Sequence, residues 1–170
     1  NEVSRNIDAY RLSTFLYKDK ASVDGKLYIG PIWDYNLAFG NANYCDGSRT
    51  EGWAWDFNSI CNGDFWLVPF WWQRFRSDPE FTETLSGRWT ELRQGAYHTD
   101  SIMFYIDSLV ASIEGPRIRN FQRWNIMGTY IWPNQFVGAT YEQEIEYLKD
   151  WVRQRLDWLD IHFADLVTSI

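Results

Sequence analysis

The sequence predicts an α+β domain, mostly α, in which one β-hairpin is followed by a helical bundle. Three observations predict it. Two short runs rich in aromatic and β-branched residues, Thr14 to Tyr17 and Lys26 to Ile29, flank a charged segment that holds the Asp24-Gly25 turn pair. Beyond Trp66 the apolar residues recur at helical spacing between clear start and stop signals. The chain has 170 residues, 45% hydrophobic and 19% aromatic, which suffices for one core but not for two ordinary domains. A single domain over residues 1–170 follows.

Residues 1–12 read as a helix or helix-to-loop segment, because Val3, Ile7 and Tyr10 fall near a 3.6 period. The hairpin comes next, and Gly30-Pro31 ends its second strand. From Asn41 to Asp64 the Gly, Asn, Asp and Ser content implies a long irregular loop, broken by the cluster Trp53-Ala54-Trp55. Asp78-Pro79 starts a helix whose apolar stripe is Phe81, Leu85, Trp89 and Leu92, and Gly95 ends it. A second opens at Thr99 or Asp100 with Ile102, Ile106, Leu109 and Ile113 on one face, and Gly115-Pro116 is expected to stop it. A short helix over residues 117–127 follows. The last is long and amphipathic: Thr140 with Gln143 forms a capping box, and Ile145, Leu148, Val152, Leu156, Leu159 and Phe163 recur along it.

Composition narrows the function. Large apolar side chains exclude a disordered chain, and no run approaches the roughly 18 apolar residues that span a bilayer. The net charge of −7 and pI near 4.8 disfavour nucleic acid and anionic lipid as partners. The opening at Asn1 reads as folded sequence and not as a leader, so the chain is expected to be a piece of a longer protein. Cys45 and Cys61 share one irregular loop, and a disulfide between them is favoured over two unrelated buried thiols, which implies an oxidising compartment.

His98 and His162 both lie in expected helices, away from either cysteine, so no zinc spacing occurs, and no GxSxG elbow is present. The carboxylates are more informative. Asp8 precedes the hairpin and Asp34 follows it, so the folded hairpin can bring both to one edge. Paired carboxylates serve phosphoryl transfer, where one orients the acceptor hydroxyl and the other holds the metal; they also serve glycoside hydrolysis. The order Asp8, Ser13 at the fifth position after it, hairpin, Asp34 is the order of the kinase catalytic loop and metal-binding aspartate, with Ser13 where kinases carry Asn.

The string from Asn6 to Asp19, NIDAYRLSTFLYKD, followed by Ile29 to Gly40, IGPIWDYNLAFG, resembles the CotH (spore coat protein H) kinase family, whose members carry an N-x-D segment and a P-x-W-D-[FY]-[DN] segment closing on Phe-Gly. Arg119-Asn120-Phe121, Trp132-Pro133-Asn134, and Thr140-Tyr141 leading to Trp151, Arg155 and Trp158 extend the resemblance to family members from bacterial surface proteins. The resemblance implies an atypical protein-kinase-like fold of which this chain is the C-lobe-like part, with the nucleotide-binding N-lobe upstream. It implies ATP with magnesium or manganese as cofactors, and transfer to Ser or Thr of secreted or surface proteins. An extracellular, cell-surface or periplasmic location in bacteria goes with it. Residue by residue, Asp8 resembles the catalytic aspartate and Asp34 the metal-binding one, with Trp33 beside it at the cofactor. Asn36, where many members have a second Asp, and Ser13 complete the expected metal set with weaker ligands. Without the N-lobe the fragment alone is expected to be inactive.

Two other readings stand beside this one: a noncatalytic or carbohydrate-binding surface module on a kinase-like scaffold, and, less favoured, a two-carboxylate glycosidase. For the sugar platform the aromatic candidates are Trp53, Trp55, Trp66, Trp71 and Trp72. Most are expected in the core, with Trp53-Ala54-Trp55 the exception.

Overall fold

The computed structural model describes residues 1–168. Its elements, in chain order, are strands β1 (Leu16–Lys18) and β2 (Leu27–Ile29), a 3-10 turn (Ala54–Asp56) running into α1 (Phe57–Ile60), then α2 (Phe70–Arg76), α3 (Pro79–Arg93), α4 (Thr99–Ser112), α5 (Glu114–Arg123) and α6 (Tyr141–Thr168). The strands pair antiparallel with Leu16 opposite Ile29 and Tyr17 opposite Tyr28, and the two tyrosine rings stack at 5.2 Å. Every strand residue is exposed, so neither face of the hairpin is buried against the helical body.

The body is built on α3 against α6. Trp89 of α3 shares one core with Trp151, Val152, Leu156, Leu159, Phe163 and Leu166 of α6, its ring stacked on Phe163 at 4.8 Å, and Leu85, Ile102 and Met103 pack around that core. Polar bonds fix the register: Trp89 Nε1 donates to Asp160 at 2.9 Å, Arg93 forks onto the same carboxylate, and Ser86 Oγ donates to the Phe163 carbonyl at 2.9 Å. The starts of these helices follow their caps. Asp78 accepts the N–H groups of Glu80 and Phe81 ahead of Pro79. Thr140 Oγ1 accepts from Gln143 N at 3.3 Å, and the Gln143 side chain reaches back to the Ala139 N–H at 2.7 Å. At α4 the cap is His98, whose ring Nδ1 accepts from Asp100 N at 3.2 Å.

A second, smaller cluster of Ile7, Ala42, Phe57 and Val68 gathers the N-terminal turns and the long loop, with Tyr10, Tyr44, Cys45, Cys61 and Trp72 around it. Cys45 and Cys61 form a disulfide with Cα atoms 5.2 Å apart, which fastens both ends of that loop.

Four expectations are corrected. Residues 1–12 form successive turns and no helix, with positive φ at Arg5 (43°) and Tyr10 (67°). The apolar spacing is real, but it serves a tertiary pairing in which Ile7 N donates to Leu37 O and Phe39 N to Ser4 O. α4 ends at Ser112, just ahead of Gly115-Pro116, but the pair itself lies in the first turn of α5, where a missing N–H removes no helical bond, so the next helix spans Glu114 to Arg123 and not 117–127. On α4, Ile102 and Ile106 are partly covered while Leu109 and Ile113 are exposed, because α6 meets only the beginning of that face. Trp53-Ala54-Trp55 is not a surface exception: Trp53 packs edge-on to Trp158 and Phe163, Ala54 is buried and Trp55 half-buried. The exposed tryptophans of that set are Trp66 and Trp71.

Candidate functional site

Asp8 occupies a turn set by Asn6, which is buried and accepts the Asp8 N–H on its side-chain oxygen at 3.3 Å. The Asp8 carbonyl accepts from Leu12 N at 3.0 Å, closing a second turn that returns Arg11 beneath the carboxylate. Arg11 Nη2 lies 3.2 Å from Asp8 Oδ1, and its side chain is only 2% exposed. Its other donors are used as well: Nε on the Ile7 carbonyl at 2.9 Å, and Nη1 on the Trp66 carbonyl at 2.8 Å and on Asp64 Oδ2 at 3.2 Å. The guanidinium lies 3.8 Å from the centre of the Phe57 ring.

The electrostatics at Asp8 are a balance. Burial pushes its carboxyl above the ordinary carboxylate range, Arg11 opposes this, and the charges of Asp34 and Asp64 add to the rise. Asp34, although exposed and far along the chain, thus lies within the electrostatic reach of Asp8. The hairpin between them makes this possible, with Gly30 at φ 150°, a conformation that favours glycine, starting the return to Asp34. Asp34 itself has φ 59°, an uncommon region for a residue with a side chain and one that strained functional loops adopt.

The remaining expected site residues are dispersed around this pair. Trp33 is 60% exposed and meets Phe15 edge-on at 6.3 Å. Asn36 is exposed, and its backbone carbonyl accepts from Asn41. Ser13 is half-buried at φ 42° in the turn before β1. Among the described residues neither Ser13 nor Asn36 hydrogen-bonds Asp34 through its side chain, and no group of three or more His, Cys, Asp or Glu is spaced to hold a metal ion. The donors are nonetheless all oxygen, which suits magnesium, an ion held by one or two carboxylates together with phosphates and waters. Among the described residues Asp34, Asn36 and Ser13 thus match magnesium in donor type but are not gathered into one ligand set.

Asp64 and the fork of Arg11 are the parts that sequence reasoning missed. Asp64 follows Cys61 in the long loop, and its N–H bonds to the Cys61 carbonyl at 3.2 Å, so the disulfide helps to place it. A signal did exist for Arg11, an arginine three positions after Asp8 on the same turn. A second ionic centre supports the turns from behind. Arg155 of α6 is fully buried and donates to the carbonyls of Glu2 (2.9 Å), Thr50 (2.8 Å) and Gly52 (2.7 Å), with Nη2 3.3 Å from the Glu2 carboxylate. Glu2 in turn accepts from Ala54 N and Trp55 N, the start of the 3-10 turn. A wide groove of about 1100 Å³ runs along α6, walled by Arg49, Glu51, Phe136, Glu146 and Asp150, but it includes neither Asp8 nor Asp34.

A helical body that carries one two-stranded antiparallel hairpin, with Asp8 before the hairpin and Asp34 just past it, defines an α+β domain, mostly α. The family model described as "CotH kinase protein" matches residues 1–159 of the 170, and the chain belongs to the CotH kinase family. No curated protein and no solved structure gives a significant match.

Proposed function

We propose that the chain is the C-lobe-like half of a protein kinase that transfers the γ-phosphoryl group of ATP to Ser or Thr of secreted or surface proteins. One observation carries the reading: Asp8, partly buried and clasped by Arg11, shares an electrostatic neighbourhood with Asp34 across the hairpin. In this reading Asp8 accepts the hydrogen bond of the acceptor hydroxyl and takes its proton as the hydroxyl oxygen bonds to the γ-phosphorus and the bridging oxygen leaves with ADP. A carboxyl raised by burial is a better base than an exposed one. Asp34, with Asn36 and Ser13, would hold the divalent ion, whose chemistry is to neutralise the phosphate charge.

A nucleotide-binding half is expected to precede this chain. The exposed apolar residues of the hairpin, Leu16, Tyr17, Leu27 and Ile29, with Ile32 and Trp33 beyond it, support such a cover. The disulfide supports an oxidising, extracellular or cell-surface setting, and among the described residues no helix is long and apolar enough to cross a membrane.

The test is transfer of labelled phosphate from ATP, with magnesium or manganese, by the full-length protein. Asp8→Asn should reduce the rate by on the order of 10²- to 10⁴-fold. A parent protein that transfers no phosphate with either metal refutes the reading. That result would favour the noncatalytic surface module, for which the exposed run Phe65, Trp66, Phe70 and Trp71 supplies an aromatic face for carbohydrate.

A further inference from the structure

We infer that Arg11 is a positioning residue for Asp8, and that Asp64, brought in by the disulfide-fastened loop, is the counter-anchor that fixes Arg11. The inference rests on the proposed role of Asp8 and names what would keep that carboxylate in place.

An aspartate on a turn between residues of positive φ, Arg5 and Tyr10, has no helix or strand of its own to set its direction. Orientation must come from its partners. Arg11 provides it from one planar group with donors in a fixed fork. Its Nε is tied to the turn through the Ile7 carbonyl, its Nη1 to the loop through Asp64 and the Trp66 carbonyl, and only Nη2 reaches Asp8. Phe57, itself buried, closes one face of the guanidinium.

This leaves Arg11 little freedom. At 2% exposure it competes poorly for an incoming phosphate, so a direct phosphate-binding role does not suit it. It sits instead behind Asp8, whose carboxylate is 16% exposed and keeps a path to solvent. Asp64 does for Arg11 what Arg11 does for Asp8. Without it, one arm of the fork would hold only a backbone carbonyl. Lysine keeps the charge but has no planar fork, so it would hold the two carboxylates less firmly.

Variants Arg11→Met, Arg11→Lys and Asp64→Asn, with the double variant Arg11→Met/Asp64→Asn, test this in the full-length protein. In phosphate transfer from ATP, Arg11→Met should lower kcat by on the order of 10²-fold, the cost of a misplaced catalytic group, with the KM for ATP unchanged. Arg11→Lys should recover part of the loss, and it keeps a buried cation should Arg11→Met fail to fold. Asp64→Asn should lose less, and the double variant should be no worse than Arg11→Met, since both changes act through one guanidinium. A second readout does not depend on turnover: the Arg11 Nε–H resonance should exchange slowly with solvent and should shift in both Asp64→Asn and Asp8→Asn.

Parental kcat in Arg11→Met or Arg11→Lys, additive losses in the double variant, or an Nε–H signal that ignores both aspartates would each overturn the inference. Parental turnover in Asp8→Asn would instead overturn the catalytic reading of Asp8, while the resonance would still report whether the Asp8–Arg11–Asp64 clasp exists.

Discussion

Replacing Arg155 by methionine is the most severe single test of how the turns around Asp8 are supported. The guanidinium is fully buried, donates to three backbone carbonyls and the Glu2 carboxylate, and lies 4.8 Å from the Trp158 ring centre. Burial lowers its pKa, against the pull of Glu2, to about 10, so it is charged at neutral pH. Methionine fills much of the volume but leaves Glu2, whose side chain is 12% exposed, without the Arg155 cation and takes a donor from three carbonyls, of which that of Glu2 keeps the Arg5 N–H. Breaking a buried pair from one side costs about 3–5 kcal/mol, and Glu2 keeps the N–H bonds of Ala54 and Trp55 as partial compensation. For a chain of this size that is roughly 6–20 °C in Tm. Urea or thermal unfolding followed by tryptophan fluorescence measures it. The double variant Arg155→Met/Glu2→Gln should recover part of the loss, because the orphaned charge is gone. A loss under about 1 kcal/mol, or a double variant worse than the sum of the singles, would refute the reasoning.

Asp8→Asn should raise stability while it removes activity. The folded carboxyl titrates above its ordinary 3.8, so its contribution to stability is full below that pH and is lost as pH rises through the folded value. The Asn variant should therefore unfold at a higher midpoint than the parent at neutral pH and match it near pH 3; a lower neutral midpoint contradicts the burial argument. Replacing Cys45 and Cys61 by serine should cost about 3 kcal/mol for a loop of 16 residues, and intact mass of unreduced protein should show no alkylated thiol in the parent. Gly40→Ala should destabilise by about 2–4 kcal/mol, since Gly40 has φ 79° and an added Cβ would meet the Trp151 ring at 2.5 Å; parental unfolding would show that α6 yields there.

The sequence disclosed those elements whose ends are chemically marked. Asp78-Pro79 and Thr140 with Gln143 start α3 and α6 where expected, and the segment 19–26 reverses the hairpin through turns closed on the Lys20 carbonyl, with Gly25 at φ 74°. Residues 1–12 misled because Val3, Ile7 and Tyr10 face inward at helical spacing while their backbone pairs with residues 37–39, a partner that local periodicity does not reveal. Trp53 and Trp55 misled in the other direction: a polar loop carries them, yet α6 supplies the rings that cover Trp53. Asp8 and Asp34 were legible as the two aspartates flanking a hairpin. Asp64 was not, because its place depends on a disulfide and on the long reach of Arg11, neither of which has a sequence period.

The proposed division of labour between Asp34 and Asp8 is tested most directly by calorimetric titration of magnesium-ATP into the full-length parent, Asp34→Ala and Asp8→Asn proteins. Asp34 as the principal metal ligand and Asp8 as the group that orients the acceptor should fail differently. The account predicts that Asp34→Ala loses magnesium-dependent ATP binding, whereas Asp8→Asn binds as the parent does and fails only in transfer. Asp34→Ala that binds magnesium-ATP as tightly as the parent would contradict it.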